Sequence, residues 1–390
     1  MPNRRVVGVL GRPGRVEVDE RGAVWSTDGS WRLDWMVADV TGSWRDPSVD
    51  TSVRHQAVDA TPVFETAMRV VGGDVRQRVY AIVDPEGLAI IEVENDSPQP
   101  VAVAFSTEGE GASVVSSRPA PAVAVPEGAP RHAVVFPIPH QAVVRVGVPL
   151  FGSPVPWPER VPSAAQVAAG WRQLAEHGER LEAPGGLAPR YSLAHAQLLL
   201  SESVEPEAVL LATGARWRLS RQTVDAPVDV IARASQRVAD RARSAPGSLA
   251  HGALGEAQIL LAVVGEHRAS VDVGRVLERL PDLAPNLAAD DDLELVVAAR
   301  SFLASAAGGR ERSVELVREW PSEWLGANAA AHQIPTRWGE VSFAVRWHGD
   351  RPALLWECEA PVILRAPSLD ATWHSSDQRG EALLSGVSAT

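Results

Sequence analysis

Apolar residues change their spacing twice along this chain, and that change constrains the fold more than any other feature. Up to about residue 155 they come in short alternating runs such as "RVEVD", "WRLDWMVAD", "VRQRVYAIV" and "LAIIEVE". Turn-forming clusters such as "STDGS", "VGGD", "DPEG" and "NDSPQP" separate the runs. A period of two with frequent turns is the pattern of short antiparallel strands, each needing a second sheet to cover its apolar face. An antiparallel β-sandwich is therefore expected over residues 1–155. The stretch "FGSPVPWPERVPS" at 151–163 closes this region, because proline forbids both helix and central strand.

From 156 to 332 the period becomes helical. Segments including "SAAQVAAGWRQLAEHGERLE", "EPEAVLLATGA", "APVDVIARASQRVADRARS", "HGALGEAQILLAVVGEH", "ADDDLELVVAARSFLASAA" and "GRERSVELVREW" predict about eight helices. Short connections favour antiparallel neighbours, so the central domain is expected to be all-α and built of helical hairpins. Strands return over 333–390 as a small C-terminal β-module, whose last stretch, "EALLSGVSAT", reads as loose. The fold class is α+β and multidomain.

The C-terminal stretch "VSFAVRWHGDRPALLWECE", 341–359, allows a finer prediction. Gly349 and Asp350 tolerate the positive φ of a two-residue hairpin turn between alternating runs. Folding about them pairs Trp347 with Pro352, Val345 with Leu354, Phe343 with Trp356 and Val341 with Cys358 on an apolar face. The other face pairs Ser342 with Glu357, Ala344 with Leu355, Arg346 with Ala353 and His348 with Arg351. The ligand-binding candidates of this hairpin are Arg346, His348, Arg351 and Glu357, because Trp356 and Cys358 fall on the packing face.

Composition removes several functional classes. The net charge of −12, with basic residues scattered, opposes nucleic-acid binding. All 37 basic residues are Arg, which points to a GC-rich genome such as an actinobacterium's and excludes a Schiff-base lysine, a P-loop lysine and pyridoxal-phosphate attachment. The single Cys fits a reducing compartment, and no run approaches a membrane span or a secretory signal, so a cytoplasmic protein without a membrane partner is expected. Ten dispersed His residues show no metal-ligand spacing, and neither a metal nor a cofactor is expected.

A β-sandwich, then helical hairpins, then the β-module carrying "GEVSFAVRWHGDRPALLWE" resembles bacterial six-hairpin glycosidases, whose catalytic domain is an (α/α) toroid. The thirteen Trp residues add to that resemblance. It implies a glycan ligand and a partial toroid, since about eight helices stand where such a family has about a dozen. An inverting hydrolase of this kind needs two carboxyl groups about 6.5–9.5 Å apart. Glu256 is the catalytic candidate: in "HGALGEAQILLAVV" it sits among small and apolar residues, where desolvation raises a pKa. The same spacing also fits a partly exposed helix residue near His251 and Gln258. Asp290, Asp291 and Asp292 precede an apolar helix and read as caps. Trp44, beside Arg45 and Asp46 in an expected loop, is the candidate for stacking on a sugar. Three functions follow: a glycan-binding and catalytically degenerate protein, an active inverting hydrolase, or a scaffold whose helical face binds another protein.

Overall fold

The alternating N-terminal runs form strands, and these strands assemble into two antiparallel sheets. The computed structural model describes residues 4–109, 113–117, 133–151, 155–221, 223–281, 283–306 and 312–386. One sheet has seven strands, with Trp31–Ala38 and Val101–Gly109 paired from Ala102 opposite Ala38 to Gly109 opposite Trp31. The alternation is present over most of the first of these strands: Leu33, Trp35 and Val37 are buried, whereas Arg32, Asp34 and Met36 are half-buried, and Trp31, expected on the core face, is half-buried as well. The other sheet has six strands, ordered Val115–Ser116, Val143–Pro149, Leu88–Asn95, Gly73–Ile82, Phe64–Val70 and Arg54–Ala57.

Tyr80, Leu88 and Ile90 of the second sheet cluster with Val155, Ala164 and Ala168. The two alanines belong to helix α1, Ala164–Glu176. The described part of the proline-rich link is neither helix nor strand, yet its Pro162 carbonyl accepts the Tyr80 hydroxyl at 2.9 Å. The link thus folds back on the sheet, and the first compact unit spans Met1–Arg172.

The second unit, Gln173–Thr390, contains both the remaining helices and the C-terminal strands. Its helices are α2 (Leu187–Leu200), α3 (Pro206–Ser220), α4 (Val228–Ser244), α5 (Ser248–Val263), α6 (His267–Leu277) and α7 (Asp292–Leu303). In α4 the buried residues Ile231, Ala234, Ser235, Val238, Ala239 and Ala242 recur at helical spacing and form one stripe. Helix α5 packs against α3, α4, α6 and α7, which is why so much of its surface is apolar. Asp291 caps α7, its carboxylate accepting the Glu294 N–H at 3.0 Å.

Among the described residues there are seven α-helices, and the segment "GRERSVELVREW" is not one of them. It contributes the strand Ser313–Leu316, in which Val314 and Leu316 are buried and Glu315 between them is half-buried. This strand pairs antiparallel with Ala304–Ala306 and parallel with Ile363–Ala366. Four residues of mixed pattern follow whichever partners the tertiary fold supplies. No described helix is long and apolar enough to cross a membrane.

A five-stranded sheet runs in the order Arg180–Glu182, Ala329–Thr336, Gly339–His348, Arg351–Cys358 and Arg379–Leu383. The hairpin at its heart has the predicted register at every pair, from Val341 opposite Cys358 to His348 opposite Arg351. Gly349 takes φ of 62° in the turn. Trp356 donates its indole N–H to the Asp377 carbonyl at 2.9 Å and meets Trp373 edge-on, with ring centroids 5.1 Å apart. Gly380 pairs with Trp356, and a Cβ at 380 would lie 2.5 Å from the indole. The C-terminal stretch is also less loose than its sequence reads: Leu384 is fully buried and donates its N–H to the Pro352 carbonyl at 2.9 Å. Residues 387–390 lie outside the described residues.

This packing sets two substitutions apart. Trp356→Ala is expected to lower stability by about 3–5 kcal/mol, the cost of a large core cavity. His348→Ala, on the exposed end of the other face, should cost under about 1 kcal/mol. Denaturant melts of the two variants measure the contrast, and equal losses would mean the faces are misassigned.

Candidate functional site

Within the second unit, the hairpin residues named from sequence do not join Glu256 in one pocket. Arg346, His348, Arg351 and Glu357 are exposed on the hairpin's polar face. Arg351 is committed to structure, its guanidinium donating to the Leu384 carbonyl at 3.1 Å. Trp44 lies in the first unit, in the short strand Trp44–Arg45 rather than a loop. It is half-buried, and its indole N–H is buried without an acceptor among the described residues. None of the thirteen Trp residues is exposed, and Trp35, Trp320, Trp324 and Trp356 are core. Tryptophan richness is therefore in large part a packing feature. Cys358 is buried as well, and burial pushes its thiol up to about 11, which makes it a poor nucleophile.

Glu256 leads to a site of a different kind. It is 3% exposed, well inside the helices, and it is not an isolated carboxyl. Arg218 of α3 forks onto it, with Nη1 donating to Oε1 at 2.5 Å and Nη2 to Oε2 at 2.9 Å. Arg300 of α7 forks in the same manner onto Glu179, in the turn before Arg180–Glu182, at 2.5 and 2.6 Å. Its remaining Nη1 reaches Glu256 Oε2 at 3.5 Å and joins the two pairs. Tyr191 donates its hydroxyl to Glu179 Oε1 and stacks on His195, four residues on in α2. His195 Nε2 stands 3.5 Å from Glu179 Oε2, an electrostatic contact without a formed hydrogen bond.

Two carboxylates and two guanidiniums balance in charge, and charges buried this deeply persist only when paired and hydrogen-bonded. Burial pushes the Glu179 carboxyl upward, but the Arg300 guanidinium and neighbouring His195 outweigh it and hold the group well below the usual range. Burial, and then the Glu179 charge, drive the Tyr191 hydroxyl well above its usual value. Helix geometry makes room for the network. A Cβ on Gly214 of α3 would lie 1.9 Å from Glu256 Oε1, so only glycine lets the carboxylate pass that close.

Glu256 and Arg300 also line a pocket of about 340 Å³. Its wall includes Ser248, His251, Gly252, Gly255 and Ile259 of α5, with Ser301, Ser305, Glu278, Glu315, Arg318, Thr336 and Arg337 around it. The hairpin candidates and Trp44 are not part of this lining. Glu278 takes up Arg337 at 3.4 Å. The pocket therefore presents hydroxyls and paired charges, an arrangement suited to orienting a polar ligand. No group of three or more His, Cys, Asp or Glu is placed to hold a metal among the described residues.

Sequence reasoning reached Glu256 but not its partners. Arg300 carried a local signal, an Arg flanked by Ala298, Ala299, Phe302 and Leu303, as did the i,i+4 pair Tyr191 and His195. Glu179 and Arg218 sit in unremarkable polar surroundings. No protein-family model matches the chain, and the search of curated proteins gave no match.

The network yields a graded expectation. Arg218→Met should cost about 3–5 kcal/mol by stranding the Glu256 charge, whereas Arg218→Met with Glu256→Met should recover most of that loss. Stability against pH tests the other pair. Glu179 is depressed when folded, so its contribution is present above the usual value of 4.5 and is lost as pH falls through that value toward its folded pKa. Glu179→Gln should flatten this acid limb in urea melts.

Proposed function

We propose that this chain binds a glycan in the pocket along α5 and α7 and does not hydrolyse it. The plan is glycosidase-like: the N-terminal sheets make a sandwich, and the helical hairpins make a reduced toroid. One observation carries the reading: of the three glutamates that line the pocket, the buried one, Glu256, has both oxygens held in the fork of Arg218, and Glu278 is paired with Arg337. An inverting hydrolase requires one carboxyl that donates a proton and another that activates water across the scissile bond. Here the second buried carboxylate, Glu179, is likewise held in a guanidinium fork.

What remains in the pocket suits recognition. Ser248, Ser301 and Ser305 offer hydroxyls, and Arg300 and Glu256 offer a donor and an acceptor side by side. Sugar hydroxyls accept from one and donate to the other. The single buried Cys and the net charge of −12 fit a cytoplasmic protein with no nucleic-acid partner.

Calorimetry and tryptophan fluorescence with short α-glucans and other oligosaccharides test the proposal. Binding of roughly millimolar strength is expected, because solvent competes for every hydroxyl, with no release of reducing sugar. Turnover that disappears in Glu256→Gln, with circular dichroism unchanged, would establish an active hydrolase. Neither heat nor a fluorescence change across the panel would replace the glycan by a protein partner.

A further inference from the structure

Glycine inside a helix is unfavourable relative to alanine unless the space or the bare backbone is used. Four glycines in the helices of the second unit are informative on this point. Gly214 accommodates Glu256, Gly252 accommodates Val297 with a Cβ-to-methyl distance that would be 2.6 Å, and Gly274 accommodates Gln258 at 2.9 Å. Gly255 of α5 is different. A Cβ there would meet no atom within 4 Å, although the residue is half-buried. The space in front of it is the pocket itself.

We infer that Gly255 is a ligand-contact position, where one or two neutral sugar rings lie against the bare backbone of α5 and where residue 255 sets the size admitted. This deepens, and rests on, the glycan reading above. The volume of about 340 Å³ lies at the small end of ligand pockets and matches one or two sugar rings. Three Glu and three Arg line the pocket, so their formal charges cancel, and an ionic ligand would have to break pairs such as Arg337 with Glu278. Arg337 also has a buried Nε–H with no acceptor among the described residues, a donor that a sugar oxygen would satisfy. Backbone exposed at a glycine gives a sugar ring the flat approach that a side chain would block.

The test compares Gly255→Ala and Gly255→Leu with Gly170→Ala, which removes an exposed interior glycine from α1 with nothing near its Cβ position. Maltose and cellobiose serve as probes in calorimetry, alongside thermal melts. Both alanine variants should melt higher than the parent. Only Gly255→Ala should weaken the bound disaccharide, by tenfold or more, and Gly255→Leu should abolish binding. A stabilised Gly255→Ala protein with unchanged affinity overturns this inference and leaves the glycan reading intact. If the parent binds neither sugar, the glycan reading fails, and Gly255→Cys then decides the rest by its reaction with a small thiol reagent. Labelling as slow as that of buried Cys358 closes the position and overturns the inference entirely; rapid labelling supports an open contact position and overturns only the ligand class.

Discussion

Glu179, Arg300, Glu256 and Arg218 form the interaction on which the helical part of this molecule depends. Removing four charges from water costs several kcal/mol for each, and only close, two-pronged hydrogen bonds offset that cost. Both forks are present, at 2.5–2.9 Å for Arg218 on Glu256 and 2.5–2.6 Å for Arg300 on Glu179. The geometry ties α3, α5, α7 and the turn at Glu179 to one relative arrangement. Sliding any of them by a helical turn would leave a buried charge unpaired. Gly214 and Gly252 belong to the same constraint, since α3 and α7 reach α5 this closely only where a side chain is missing.

The network also limits chemistry. A carboxylate held by a guanidinium through both oxygens stabilises the fold and keeps its remaining lone pairs for a ligand's hydroxyls, but it offers no proton to a scissile bond. Glu256 and Arg300 stand at the boundary between this network and the pocket. Structure and the proposed recognition would thus meet in the same two side chains, and a ligand there would see a rigid, pre-oriented donor and acceptor.

The C-terminal strands are joined to the helices by similar means. Arg221, the left-handed residue that ends α3 at φ of 54°, donates to Glu340 at the start of the hairpin. Burial pushes the Glu340 carboxyl upward, and Arg221 acts against that shift. Trp320, Trp324, Trp347 and Phe302 pack near one another from α7, the connecting segment and the hairpin. Helices and strands of the second unit consequently share one interior.

What the sequence alone determined is local. Alternation produced the N-terminal strands, helical spacing produced the buried stripe of α4, and Gly349 with Asp350 determined the hairpin register pair by pair, because a two-residue turn leaves no other pairing. The cap at Asp291 was legible for the same reason, its partner being three residues away. Tertiary structure alone decided the rest. Ser313–Leu316 became a strand because Ile363–Ala366 lies beside it, and Trp44 became half-buried because its short strand pairs with Trp31–Ala38. Glu256 could be seen as an acid in apolar surroundings, but not as a partner of Arg218, 38 residues earlier; nor could Glu179 be matched to Arg300 across 121 residues. Periodicity and turn chemistry act over a few residues, whereas the pairing of buried charges depends on which helices the folded chain brings into contact.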